Sequence, residues 1–258
     1  MKNLQGKVAV VTGGSRGIGR AIAARLASDG ALVCVNYREN AGAAAEAVGA
    51  IEAAGGEAFA LQGDVGSVDE IAGFFGRLDA ELTTRRADHR FDILVNNAGV
   101  VDGTTVEATT EEQFDRVFAT NVKGPFFVTQ AALPRLRDGG RLINVSSNLS
   151  RHPMATGLPY CMTKAALDNF TVGLAGVLGR RKITVNTLAP GLTATELNAA
   201  MRAHPGVEER FATMTALGRI GKVEDIADAA SFLASPDSAW VTGIYLEASG
   251  GLGLAMPG

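Results

Sequence analysis

Two kinds of segment alternate along the chain. Short runs made almost wholly of apolar residues occupy 7–12, 31–36, 57–62, 91–96, 141–146, 183–188 and 244–248. Longer, alanine-rich segments of helical period lie between them, at 17–29, 41–54, 67–82, 111–133, 160–179 and 223–234. Strands buried on both faces read as continuous apolar runs, whereas a strand with one wet face alternates. The pattern therefore predicts a doubly wound α/β fold, with a parallel sheet flanked by helices on both faces and joined by right-handed crossovers. Helix starts are marked locally. Thr110 stands before "EEQF", and Ser67 precedes Glu70 at the capping-box spacing. No proline-rich linker or 20–50-residue repeat divides the chain, so 1–258 reads as a single domain. The stretch 192–218 is too long for an idle connection and reads as a lid or binding segment.

Composition narrows the class of partner. A chain of 258 residues with a formal charge of −3 and no basic stripe gives no sign of a nucleic-acid partner. No run approaches the 18 apolar residues of a membrane span, and the N-terminus lacks a signal-peptide pattern, so a soluble cytoplasmic protein is expected. Cys34 and Cys161 lie far apart, which suits a reducing compartment better than a disulfide framework. His89, His152 and His204 form no cluster with metal-ligand spacing, and no catalytic metal is expected.

The most specific local signal is "VAVVTGGSRGIGRAIAARL", in which a strand ends at Thr12, glycines follow, and a helix opens near Ile18. Glycines at 13, 14, 17 and 19 let backbone approach a pyrophosphate, while the helix start supplies N–H donors and positive dipole. Gly13, Ser15, Arg16, Gly17, Ile18 and Gly19 are thus candidate dinucleotide ligands in a Rossmann-type domain. NAD-binding versions place a carboxylate at the end of the second strand. "VCVNYREN" instead puts Tyr37 there, with Arg38 next and Arg16 in the loop. Two guanidinium groups and no acid suit a 2′-phosphate, which favours NADP(H) over NAD(H). Glu39 beside Arg38 weakens that preference, and Arg38 alone could equally be a surface residue.

Tyr160 and Lys164 stand one helical turn apart, so both side chains leave the same face. Such a pair can be two solvated residues or the acid end of a proton relay. Free tyrosine has a pKa of about 10, and a neighbouring ammonium would lower it.

With "TGGSRGIG" (12–19), "NNAG" (96–99), Asn121, Ser147, "YCMTK" (160–164) and "PGLTATEL" (190–197) in this order and spacing, the chain resembles the short-chain dehydrogenase/reductase family over essentially its whole length. It is most similar to the branch of about 250 residues that holds β-ketoacyl carrier-protein reductases and polyketide ketoreductases. The resemblance implies a catalytic set of Asn121, Ser147, Tyr160 and Lys164. Tyr160 would be the general acid, Ser147 the holder of the substrate oxygen, and Asn121 a helix-kinking residue holding a water that links the lysine to solvent. Ser146 is the weaker alternative to Ser147, since neighbours on an ordinary strand face opposite ways. The cofactor side would add Asp64 and Val65 at the adenine, Asn97, Ala98 and Gly99 along the ribose, Tyr160 and Lys164 again, and Pro190, Gly191, Thr193 and Thr195 near the nicotinamide and phosphates. Residue chemistry leaves alternatives open. Asp64 could close an Asx-turn, Thr195 could cap the next helix, and Asn96 and Asn97 could bond neighbouring backbone.

The helical segments 111–133 and 160–179 are apolar on more than one face, so a partner subunit is expected against them. By resemblance this is a homotetramer, or a homodimer. Two departures from the family pattern stand out. "EASGG" (247–251) replaces the usual Asp-Gly-Gly, and "TTRRADHR" (83–90) looks like a surface insertion before the fourth strand. The expected activity is NADPH-dependent reduction of a ketone, on a small molecule that is free or attached to a carrier protein. An NAD-linked dehydrogenase working oxidatively and a non-catalytic nucleotide-binding regulator are the competing readings.

Overall fold

A computed structural model describes residues 3–254. Seven strands form one wholly parallel sheet in the order β3-β2-β1-β4-β5-β6-β7. They are β1 Val8–Val11, β2 Leu32–Tyr37, β3 Glu57–Gln62, β4 Phe91–Asn96, β5 Leu136–Val145, β6 Thr184–Pro190 and β7 Tyr245–Ala248. The winding reverses between β1 and β4, which opens a crevice at their carboxyl ends.

The helices lie in two layers. On one face α1 (Gly17–Ser28), α2 (Ala41–Ala53) and α9 (Val223–Ala234) bury Ile22, Leu26, Ile51, Ile226 and Leu233 against the sheet. On the other, α3 (Val68–Arg86), α5 (Gly124–Ala132) and α6 (Leu158–Leu178) bury Phe74, Phe75, Leu78, Val128 and Leu174. With both faces covered, β1, β4 and β6 are buried at every residue, polar Asp92, Asn96, Asn186 and Thr187 included.

Several boundaries differ from the sequence reading. The helix expected over 111–133 is broken. α4 (Glu111–Phe118) carries the Thr110–Gln113 capping box, and a π-helical turn, Ala119–Lys123, then separates it from α5. The supposed insertion at 83–90 begins as the last turn of α3. Ala87 ends that helix in the left-handed conformation, and Asp88 then pairs with Arg90 and Arg137. Ser67 caps α3, but Glu70 reaches the Asp64 N–H instead of closing a capping box. The segment 192–218 is not bare loop: it holds α7 (Ala199–Arg202) and α8 (Val207–Met214). Cys34 and Cys161 are buried free thiols. Among the described residues no helix is long and apolar enough to cross a membrane.

Candidate active site

The carboxyl ends of six strands surround a cavity of about 440 Å³. Its floor is the glycine loop. Gly13 takes φ +61°, and a Cβ there would stand 2.9 Å from the Ala98 Cα. A Cβ on Gly19 would fall 2.3 Å from the Gly13 carbonyl oxygen, so only glycine lets the start of α1 sit this close to the loop. Ser15, Arg16, Gly17 and Ile18 line the same wall.

Three polar side chains, two of them buried, lock this loop to the sheet. Asn97 Nδ2 donates to the Thr12 and Gly13 carbonyls, at 2.9 and 3.1 Å. The Thr12 hydroxyl oxygen accepts from the Asn97 and Ala98 N–H groups. Asn36, only 2% exposed, accepts from Gly13 N–H through Oδ1 and donates to the Gly63 carbonyl through Nδ2. The backbone-bonding alternative therefore holds for Asn97, although it also lines the cavity. Asn96 faces away, donating to Thr129 and Asn144. Thr12 and Asn36 did not emerge from the sequence. The signal was a polar residue closing an otherwise apolar strand.

Tyr37, Arg38, Asp64 and Val65 stand at one end of the cavity. Asp64 Oδ1 accepts from Gly66 N–H at 2.7 Å, so the Asx-turn is present and one carboxylate oxygen is committed to it. Arg38 Nη2 lies 2.8 Å from Glu39 Oε1. Arg16 is exposed at the rim and has no ion-pair partner among the described residues. Arg16, Tyr37 and Arg38, the last shared with Glu39, stand beside the glycine cradle and fit a dinucleotide carrying a 2′-phosphate.

At the other end Ser147, Tyr160 and Lys164 converge. Ser147 follows β5 and opens a 3-10 turn, Asn148–Ser150. Its Oγ accepts from Leu149 N–H and also faces the Tyr160 phenol. Ser146 also lines the cavity, but its hydroxyl donates to the Lys164 carbonyl, which leaves Ser147 as the serine against the phenol. Burial pushes the Tyr160 phenol up to about 12, and the Ser147 hydroxyl pulls it the other way. Lys164 is 4% exposed, and its Nζ donates to the Val145 carbonyl at 2.9 Å. Its own burial lowers it to about 8, with Asp168 opposing, and the ammonium lies 5.5 Å from the Tyr160 ring centre.

Asn121 is the one candidate that does not face the cavity. It sits in the π-helical turn, where Oδ1 accepts from Val100 N–H and Nδ2 donates to the Val100 carbonyl and to Thr163 Oγ1. A Cβ on Gly99 would meet both Asn121 Oδ1 and Lys164 Nζ, at 3.3 and 3.6 Å, so the amide backs the wall beside the lysine.

The outer wall comes from the segment after β6. Pro190, Gly191, Thr193 and Thr195 line it. Thr193 donates to the Gly191 carbonyl, and Thr195 N–H donates to Asn198 Oδ1 at the start of a short 3-10 turn. Leu197, Met201 and Phe211 reach the cavity from this segment, opposite Leu149 and Met154. His152 is exposed and does not line the cavity.

The comparisons agree with this geometry. A family model described as enoyl-(acyl carrier protein) reductase matches residues 13–253. An uncharacterised oxidoreductase of Methylorubrum extorquens is 44% identical over 253 residues, covering 98% of this chain and all of the relative. Versicolorin reductase 1 of Aspergillus parasiticus is 40% identical, covering 96% and 97% of the two chains. The crystal structure of the angucycline C-6 ketoreductase LanV with bound NADP superposes with a TM-score of 0.93 at 44% identity, covering 98% of this chain and 97% of that one. The glycine-loop sheet, the Ser-Tyr-Lys cavity and these matches lead to one conclusion: the chain belongs to the short-chain dehydrogenase/reductase family of oxidoreductases.

Proposed function

We propose that the protein reduces a ketone on an extended apolar molecule, such as a polycyclic polyketide, to a secondary alcohol, with NADPH as hydride donor. The observation that carries this reading is the meeting of Ser147, Tyr160 and Lys164 at one end of a cavity whose opposite wall is apolar. The LanV ketoreductase, which has been crystallised with NADP and rabelomycin, supports the substrate class and the cofactor.

The bound nucleotide supplies the hydride. The glycine loop would cradle its pyrophosphate, and Arg16, Tyr37 and Arg38 would take the 2′-phosphate. Asp64, Val65, Asn97, Ala98 and Gly99 would line its adenosine side, and Pro190, Gly191, Thr193 and Thr195 its nicotinamide end. The chain itself must place a proton on the carbonyl oxygen. In this reading Tyr160 supplies that proton as general acid. Ser147 donates to the same oxygen and stabilises the charge that develops there. Lys164, still mostly protonated at pH 7, stabilises the phenolate left behind. Asn121 holds the wall beside that ammonium, and the family's water relay remains our reading of its wider role.

Leu197, Met201 and Phe211 in 192–218 act as a substrate lid in this reading. Phe126 of α5 and Val172 and Val177 of α6 are exposed apolar residues on neighbouring helices, which supports a homotetramer built through them. We place the protein in the cytoplasm.

The test is oxidation of NADPH and NADH against bicyclic and tricyclic ketones, β-ketoacyl thioesters and enoyl thioesters. Polycyclic ketones with NADPH should turn over fastest, and Tyr160→Phe should cut kcat by about 10²–10⁴-fold. Equal rates with NADH would sink the cofactor assignment, and turnover of enoyl thioesters alone would sink the ketone.

A further inference from the structure

The turn that carries Ser147 rests on a side chain from the edge of the sheet. Tyr245 opens β7, the last strand, which pairs only with β6. Its hydroxyl donates to the Ser147 carbonyl oxygen at 3.3 Å. The guanidinium of Arg151, the residue that closes the Asn148–Ser150 turn, lies 3.6 Å from the centre of the Tyr245 ring. Both ends of the turn are therefore fixed to one phenol. Tyr245 also borders a second cavity of about 300 Å³, shared with Arg151, Asp168, Asn169, Thr187 and Ile244. The hydrogen bond and the Arg151 stack thus tie the turn to β7.

We propose that Tyr245, with Arg151 stacked on it, is a positioning residue that holds Ser147 against Tyr160. The proposal rests on the ketone-reductase reading of Ser147. Ser147 Oγ is useful only within hydrogen-bond reach of the substrate oxygen, a window of about 2.7–3.1 Å. A displacement near 1 Å caused by a distant side chain can cost on the order of 10²-fold. The Tyr245 bond is made to backbone, so its loss shifts the whole turn without removing any group that touches substrate or nucleotide.

A double-mutant cycle tests the proposal, with kcat and KM for the ketone, NADPH affinity by nucleotide fluorescence and thermal melting measured for each variant. Tyr245→Phe should lower kcat by roughly 5–20-fold, with NADPH affinity and melting temperature close to wild type. In a Ser147→Ala background the same change should alter kcat by less than about twofold, because the group being positioned is gone. Arg151→Gln should repeat the pattern more weakly, and serves as the probe if Tyr245→Phe folds poorly. An equal loss in both backgrounds, or no loss with Ser147 present, overturns the positioning role. Wild-type turnover in Ser147→Ala itself would instead overturn the reductase reading on which it rests.

Discussion

The two sides of the cavity are built by opposite means. The side under β1, β2 and β4 is held by buried Asn36 and Thr12 and half-buried Asn97, whose partners are all backbone groups. The side formed by 192–218 is two short helices, and its cavity-facing Leu197 is 60% exposed. Hydrogen-bonded buried groups specify one geometry, because leaving any of them unpaired costs the full desolvation penalty. Half-exposed apolar side chains specify only a greasy surface, and they can repack at little cost. The first construction suits a ligand that never varies. The second suits a site whose ligand differs from one relative to the next.

Gly19→Ala should show the contrast most strongly. The new Cβ must displace the Gly13 carbonyl or the Asn97 amide, which lies 2.4 Å from it. We expect destabilisation of about 1–3 kcal/mol in urea unfolding and loss of NADPH binding in fluorescence titration. An unchanged nucleotide affinity would show the floor to be as forgiving as the lid.

Lys164→Met should separate function from stability on the rigid side. Turnover should fall by about 10²-fold or more while the fold gains about 1–3 kcal/mol at pH 7, because a buried ammonium is removed. The folded-state pKa of about 8 lies below the ordinary value of 10.5. The unfolded chain therefore binds more protons between those two values, and wild-type stability rises with pH across that window. The gap between variant and wild type should close from pH 8 to 10.5, and wild-type reductive turnover should decline above about 8. Melting curves and pH–rate profiles check both.

The smallest effect belongs to the lid. Leu197→Ala should change KM for the ketone by up to about tenfold and shift stability by no more than about 0.5 kcal/mol, with NADPH affinity unchanged. A change in nucleotide affinity as large as that in KM would merge the two sides into one.

The same contrast governs what the sequence discloses. The glycine loop is legible because its geometry is local: strand, glycines and helix succeed one another within a dozen residues. Tyr160 and Lys164 are legible as a pair because one helical turn joins them. Asn36 hides because its partners, Gly13 and Gly63, lie 23 and 27 residues away and only the folded sheet brings them near. The π-helical turn hides for a like reason, since the Val100 backbone that Asn121 bonds belongs to the loop after β4. Helices α7 and α8 are short, four and eight residues, so little local pattern distinguishes them from loop. Tyr160 shows the limit of pairwise reasoning: the lysine is where the spacing puts it, yet the hydroxyl that meets the phenol comes from the turn after β5.

The turn Ala119–Lys123 sets more than the place of one amide. A π-helical turn holds an extra residue, so α5 leaves it rotated by about 100° from where a plain α-helix would carry it. Phe126, the third residue of α5, is half-exposed and meets Phe170 of α6 at 5.6 Å. Deleting a single residue from the turn would swing the catalytic wall and the outer aromatic face together, in one stroke. The chemistry inside and the surface offered outside are thus geared to the same short length of backbone.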